Sequence, residues 1–172
     1  MNHYVSLAKE AVKRYVGEGE IISPPKELPK HFFTKKAGVF VTIKNKHGGL
    51  RGCIGTYLPT RENIAGEIIY NAIAAATKDA RFGPVKEKEP ETLIFSVYIL
   101  NPPEKIKNLS NLNPEKFGIF LKSEFNKSAL LLPGLPGIDS PEQQFFIACQ
   151  KGGMDPEKEN VAIYRFTAEK HE

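Results

Sequence analysis

The stretch Leu50-Arg51-Gly52-Cys53-Ile54-Gly55-Thr56 places a cation, a thiol and two glycines within seven residues. Its alternation predicts a β-strand, with Leu50, Gly52 and Ile54 on one face and Arg51, Cys53 and Gly55 on the other. The first face is apolar and suits a core. The second pairs a guanidinium with a thiol, and a neighbouring arginine favours the thiolate over the thiol. The ordinary alternative is that Cys53 is a small buried hydrophobe. Upstream, residues 37–44 alternate in the same way, with Val39, Val41 and Ile43 opposed to Phe40 and Thr42. Asn45-Lys46-His47-Gly48-Gly49 between them reads as a hairpin loop whose glycines are free to take positive φ. The motif is therefore expected to be the return strand of a hairpin, with His47 solvated at its tip.

Downstream, Pro59-Thr60 opens a helix predicted to run from Arg61 to Thr77, with Thr60 as N-cap. Ile64, Ala65, Ile68, Ile69, Ala72, Ile73, Ala75 and Ala76 form a broad apolar stripe, and Gly66 and the alanines permit close approach to another element. This is expected to be the central helix, lying on the sheet. Lys78-Asp79-Ala80-Arg81-Phe82-Gly83-Pro84 then forms a loop. An aspartate just after a helix opposes the helix dipole, so Asp79 needs a cationic partner, either Arg81 or Arg51.

Two functional readings follow. In the first, the motif strand and the aspartate–arginine bend line one concave site. Arg51 and Arg81 bind an anionic group, with Gly52, Gly55 and Thr56 completing the ligand contacts. Cys53 is then a nucleophile or thiol carrier, and Asp79 orients an arginine or accepts a proton. No histidine is placed by the sequence as a base for Cys53. In the second reading the chain is a non-enzymatic adaptor or regulatory module. Gly52 and Gly55 then allow tight helix packing, and Arg51 and Asp79 form an internal ion pair.

Elsewhere, residues 3–16 form an amphipathic pattern that Asn2 caps and Gly17 ends. Residues 18–36 carry Pro24, Pro25 and Pro29, and no regular element is expected there. Leu28, Phe32 and Phe33 are expected to pin that segment to the core. Leu93–Leu100 is apolar on both faces and reads as a central strand. Residues 104–116 read as a polar connection with at most one helical turn. Phe117–Lys122 and Ser128–Leu132 form a second hairpin. Ser140-Pro141-Glu142-Gln143 starts a helix with a capping box and proline at its first position, running to Lys151 with Cys149 on its inner face. Residues 161–167 form a closing strand.

A chain of 172 residues with 41% hydrophobic and 26% charged residues is that of a globular protein of one domain, with room for two lobes. The net charge of +4 is spread among mixed lysines and glutamates, so no clustered nucleic-acid footprint is expected. Two distant cysteines make neither a disulfide framework nor a zinc motif, and no metal or cofactor motif is found. Residues 1–13 mix charge throughout and resemble no signal peptide, and no apolar run spans a bilayer. A cytoplasmic location is expected. Nothing resembles a coiled-coil seam, which leaves the oligomeric state open.

The motif at 50–56 resembles the signature of the AMMECR domain family, called AmmeMemoRadiSam system protein A in prokaryotes. The Asp-x-Arg-Phe-x-Pro stretch at 79–84 and the Lys151-Gly152-Gly153 helix end are similar to the family as well. Leu131-Leu132-Pro133 is kept, but the chain then departs into a glycine–proline loop to Gly137. The resemblance implies an α+β fold over residues 1–172, a mainly antiparallel sheet flanked by helices, with a smaller lobe set in a larger one and a cleft between them. It also implies work alongside a MEMO-like protein and a radical S-adenosylmethionine enzyme in a modification pathway. This chain lacks the cysteine cluster for an iron–sulfur centre, so it is not itself expected to be the radical enzyme.

Overall fold

The computed structural model describes residues 2–172. Helix α1, His3–Glu18, starts where the Asn2 side chain accepts the Tyr4 N–H. It ends at Gly19 rather than Gly17, because Gly19 takes φ 71° and returns its N–H to the last turn. Its buried stripe is Leu7, Ala8, Ala11 and Val12. The proline-rich segment then yields one short helix that the proline count hid, α2, His31–Thr34. Phe32 is buried there and Leu28 packs on the core, whereas Phe33 is exposed.

Strands β1, Val39–Lys44, and β2, Leu50–Thr56, form the expected hairpin, with Thr42 opposite Cys53. The Asn45 side chain closes the loop by accepting the N–H groups of His47 and Gly49. Helix α3, Ile64–Thr77, starts three residues later than expected. Its N-cap is Asn63, which accepts the Gly66 N–H, and Thr60 is held elsewhere. Strand β3, Ile94–Leu100, pairs antiparallel with β1.

The polar connection beyond Asn101 contains strand β4, Glu104–Ile106, and a 3-10 turn at Leu109–Asn111. Strands β5, Gly118–Ser123, and β6, Ser128–Leu131, make the second hairpin. Helix α4, Pro141–Gly152, is capped by Ser140 as expected, but Gln143 reaches the Asp139 N–H instead of completing the box on Ser140. Strand β7, Val161–Phe166, is followed by β8, Ala168–His171, which was not anticipated.

The strands make two sheets, ordered β2-β1-β3-β8 and β4-β7-β5-β6. The chain divides into two compact units, one running to Leu100 and regaining Glu169–Glu172, the other Asn101–Ala168. In the first, Val39, Val41, Ile43, Phe95, Val97 and Ile99 face the apolar stripes of α1 and α3 and are essentially sealed from solvent. Burying each such side chain contributes about 1.5–3 kcal/mol. In the second, Ile119, Leu121, Ala129 and Leu131 pack with Ala148 and Cys149 of α4, so Cys149 is core.

Candidate functional site

The face of β2 that meets α3 is built for contact without side chains. A Cβ on Gly52 would lie 2.0 Å from the Ala75 carbonyl oxygen, so only glycine lets strand and helix come this close. Four residues on, the Thr56 hydroxyl donates to Glu67 at 2.6 Å and receives the Asn71 amide at 3.2 Å. Glu67 is 1% exposed. A buried carboxylate is tolerable only when its oxygens are satisfied. Here they accept four donors: the hydroxyls of Thr56 and Thr60 and the N–H groups of Thr60 and Arg61. Thr60 therefore serves Glu67 and does not cap the helix.

Arg51 reaches away from Asp79. Its Nε and Nη2 form a fork on Glu89, at 2.9 and 3.2 Å, and its Nη1 and Nη2 also donate to the Gly83 and Pro84 carbonyls. The guanidinium thereby fastens the segment 83–89 to the strand. Its hydrogen bonds hold the Glu89 carboxyl below its ordinary range, against the opposing effect of burial. Gly55 sits under Phe40, with space for no Cβ.

Asp79 takes Arg81 as its partner. Arg81 donates through Nε and Nη2 at 2.9 and 2.7 Å, and its N–H adds a third bond. Oδ2, which takes the Arg81 Nη2 donor, also accepts the Cys53 N–H at 2.9 Å. That amide lies on an edge strand and lacks a neighbour strand to receive it. Bonding to Arg81, aided by the two backbone amides, holds the Asp79 carboxyl at about 2 despite its burial. Asp79 is buried, whereas the Arg81 side chain is 58% exposed.

The Cys53 sulfur is half-buried, and among the described residues its hydrogen-bond partner is the Thr42 hydroxyl, at 3.2 Å. Arg81 feels it as well: its pKa is raised first by the bonds to Asp79 and also by the nearby Cys53. Thr42 lies opposite Ser96 in the next strand, and the Ser96 hydroxyl donates to Glu172. Cys53, Asp79 and Arg81 thus form one connected group, with Thr42 beside the sulfur. Arg51 forms a separate one with Glu89. Thr56 and Gly52 belong to the strand–helix contact.

Sequence reasoning missed Glu67, Asn71, Glu89 and Thr42. A signal existed for the first pair, since a glutamate and an asparagine four apart interrupt the apolar stripe of α3. Both prove buried. Among the described residues no group of His, Cys, Asp and Glu is arranged to hold a metal ion, and no helix is long and apolar enough to cross a membrane. The second unit carries a hollow of about 470 Å³ lined in part by Phe145, Phe146, Cys149 and Met154, which touches none of the motif residues.

Comparison with known proteins gives a consistent result. The model of the AMMECR1 family matches residues 5–171. A protein from Thermotoga maritima is 44% identical over 168 residues, covering 98% of this chain and 96% of its own length. A longer protein from Clostridium acetobutylicum is 40% identical over 169 residues, 98% of this chain and 35% of that one. The crystal structure of an uncharacterised protein from Pyrococcus horikoshii matches with a TM-score of 0.90 at 33% identity, covering 98% of this chain and 89% of the other.

Proposed function

The chain belongs to the AMMECR1 family, and from that premise we propose that Cys53 and Arg81 are the ligand-contacting pair of a modification-system component. The observation that carries this reading is the shared carboxylate: Asp79 accepts from the Cys53 backbone and from the Arg81 guanidinium at once. One buried acid thereby sets both the strand that bears the thiol and the cation beside it. Arg81 keeps guanidinium donors beyond those spent on Asp79, and its exposure suits it to a small carboxylate or phosphate. Cys53 is the thiol that such a ligand meets. In this setting the chain works alongside a MEMO-like protein and a radical S-adenosylmethionine enzyme, as the resemblance of its motif implies.

The test has two parts. Immobilised chain is offered the MEMO-like protein and the radical enzyme, then the experiment is repeated with Cys53→Ser. Capture by the unmodified chain and loss in the variant are expected. Capture of neither partner removes the pathway reading. Separately, the rate of Cys53 alkylation by iodoacetamide is followed against pH. A thiol inert until its ordinary pKa, near roughly 8.5, removes an activated nucleophile.

A second reading has its own support. Arg51, Gly52, Gly55 and Thr56 are all committed to internal contacts, which is what an adaptor with a structural motif requires. A Cys53→Ala variant that keeps both fold and cellular function selects the adaptor.

A further inference from the structure

Arg61 differs from the other four arginines of the chain. Arg14, Arg51, Arg81 and Arg165 each meet a carboxylate, of Glu18, Glu89, Asp79 and Glu104. Among the described residues the Arg61 guanidinium meets none, and its contact is the Tyr70 ring, 3.7 Å from the centroid. Yet its position is built. The buried Glu67 fixes its backbone N–H at 2.7 Å. Its stem lies beside Gly66, where a Cβ would come within 3.4 Å of the Arg61 Cβ. Gly66 and Tyr70 stand four apart on α3, so they share a face and form a track for the stem and head of this arginine.

A guanidinium held over a ring face keeps N–H donors that the ring does not use, in the fork that matches a carboxylate. Stacking also removes much of the side-chain freedom that binding would otherwise cost. Leu58, on the same pinned loop, and Tyr70 are 46% and 40% exposed. We propose that Arg61, Tyr70 and Leu58 form a docking site for an acidic and apolar segment of a partner protein. The fork takes a glutamate or aspartate side chain, and the exposed leucine and ring take an apolar neighbour. Arginine and tyrosine are among the residue types enriched in interaction hot spots. A nucleic-acid backbone fits less well, because it needs clustered cations, whereas the site has a single guanidinium and the next residue in the chain is Glu62. The site requires no chemistry at Cys53.

The experiment is an NMR titration of the full ¹⁵N-labelled chain with acetyl-Gly-Leu-Glu-Leu-Gly-amide, with its glutamine counterpart, and with inorganic phosphate. The glutamate peptide is expected to shift the Arg61 Nε–H and the Leu58 and Tyr70 amides saturably. The glutamine peptide, and the glutamate peptide on Arg61→Lys or Tyr70→Leu, are each expected to bind at least fivefold more weakly, with the remaining spectrum reporting an intact fold. Absence of a saturable shift overturns the proposal, as does equal binding of the two peptides. Phosphate moving Arg61 as strongly as the glutamate peptide also overturns it, in favour of a simple anion site.

Discussion

Toward α3, β2 presents Gly52, Ile54 and Thr56. Away from it, the strand presents Arg51, Cys53 and Gly55. The first face is closed: a glycine against a helix carbonyl, an isoleucine on the core, and a threonine on a buried glutamate. The second is only partly spent. Arg51 is consumed by Glu89 and two carbonyls and Gly55 by Phe40, which leaves the half-buried sulfur of Cys53. A seven-residue signature therefore need not be seven residues of chemistry. Most of this one holds a strand in place so that a single thiol and the nearby bend keep their geometry.

That division between faces can be broken by substitution. Gly52→Ala is expected to have the largest effect, because the obstructing atom is helix backbone with no flexible end to move aside. Loss of more than about 3 kcal/mol, read from the urea midpoint, is expected. A variant as stable as the parent would show that the strand and helix can separate. Glu67→Ala comes next: it strands four donors around a buried hole, and a loss of about 3 kcal/mol is expected in the same assay.

Asp79→Asn is expected to cost about 2 kcal/mol near neutral pH, given a carboxyl held at about 2 against an ordinary 3.8. Because the folded-state value is depressed, the contribution is complete above the ordinary range. It fades as pH falls from about 4 toward 2. The stability gap between parent and variant should therefore narrow across that interval, and a gap independent of pH would refute the assignment to ionised Asp79. Cys53→Ala should be mildest, below about 1 kcal/mol, since the sulfur is half-buried and makes one weak hydrogen bond. A large loss there would move Cys53 to the structural side of the comparison.

Much of the fold was legible where apolar periodicity is long. The first hairpin, α3 and β3 follow directly from alternation or a wide stripe. Strands β4 and β8 were not legible, because Glu104–Ile106 and Ala168–His171 are short and mostly polar, and their pairing depends on neighbours far away in the chain. The cap of α3 was misplaced because Thr60 and Asn63 are both good caps by composition. Only the position of the buried Glu67 carboxylate shows that Thr60 is engaged elsewhere. The choice of partner for Asp79 was likewise a matter of reach. Arg51 and Arg81 have the same chemistry, and the loop geometry alone brings Arg81 to Asp79 and Arg51 to Glu89.

The bend at Asp79 has one more effect, on self-association. An outermost strand ordinarily offers its free amides to any passing chain, which is how sheets extend into polymers. On β2 the Cys53 amide is already plugged by a carboxylate, itself locked by a cation. A strand from another copy would have to evict that plug before it could add. The same aspartate that frames the thiol thus also guards this border of the sheet against runaway growth.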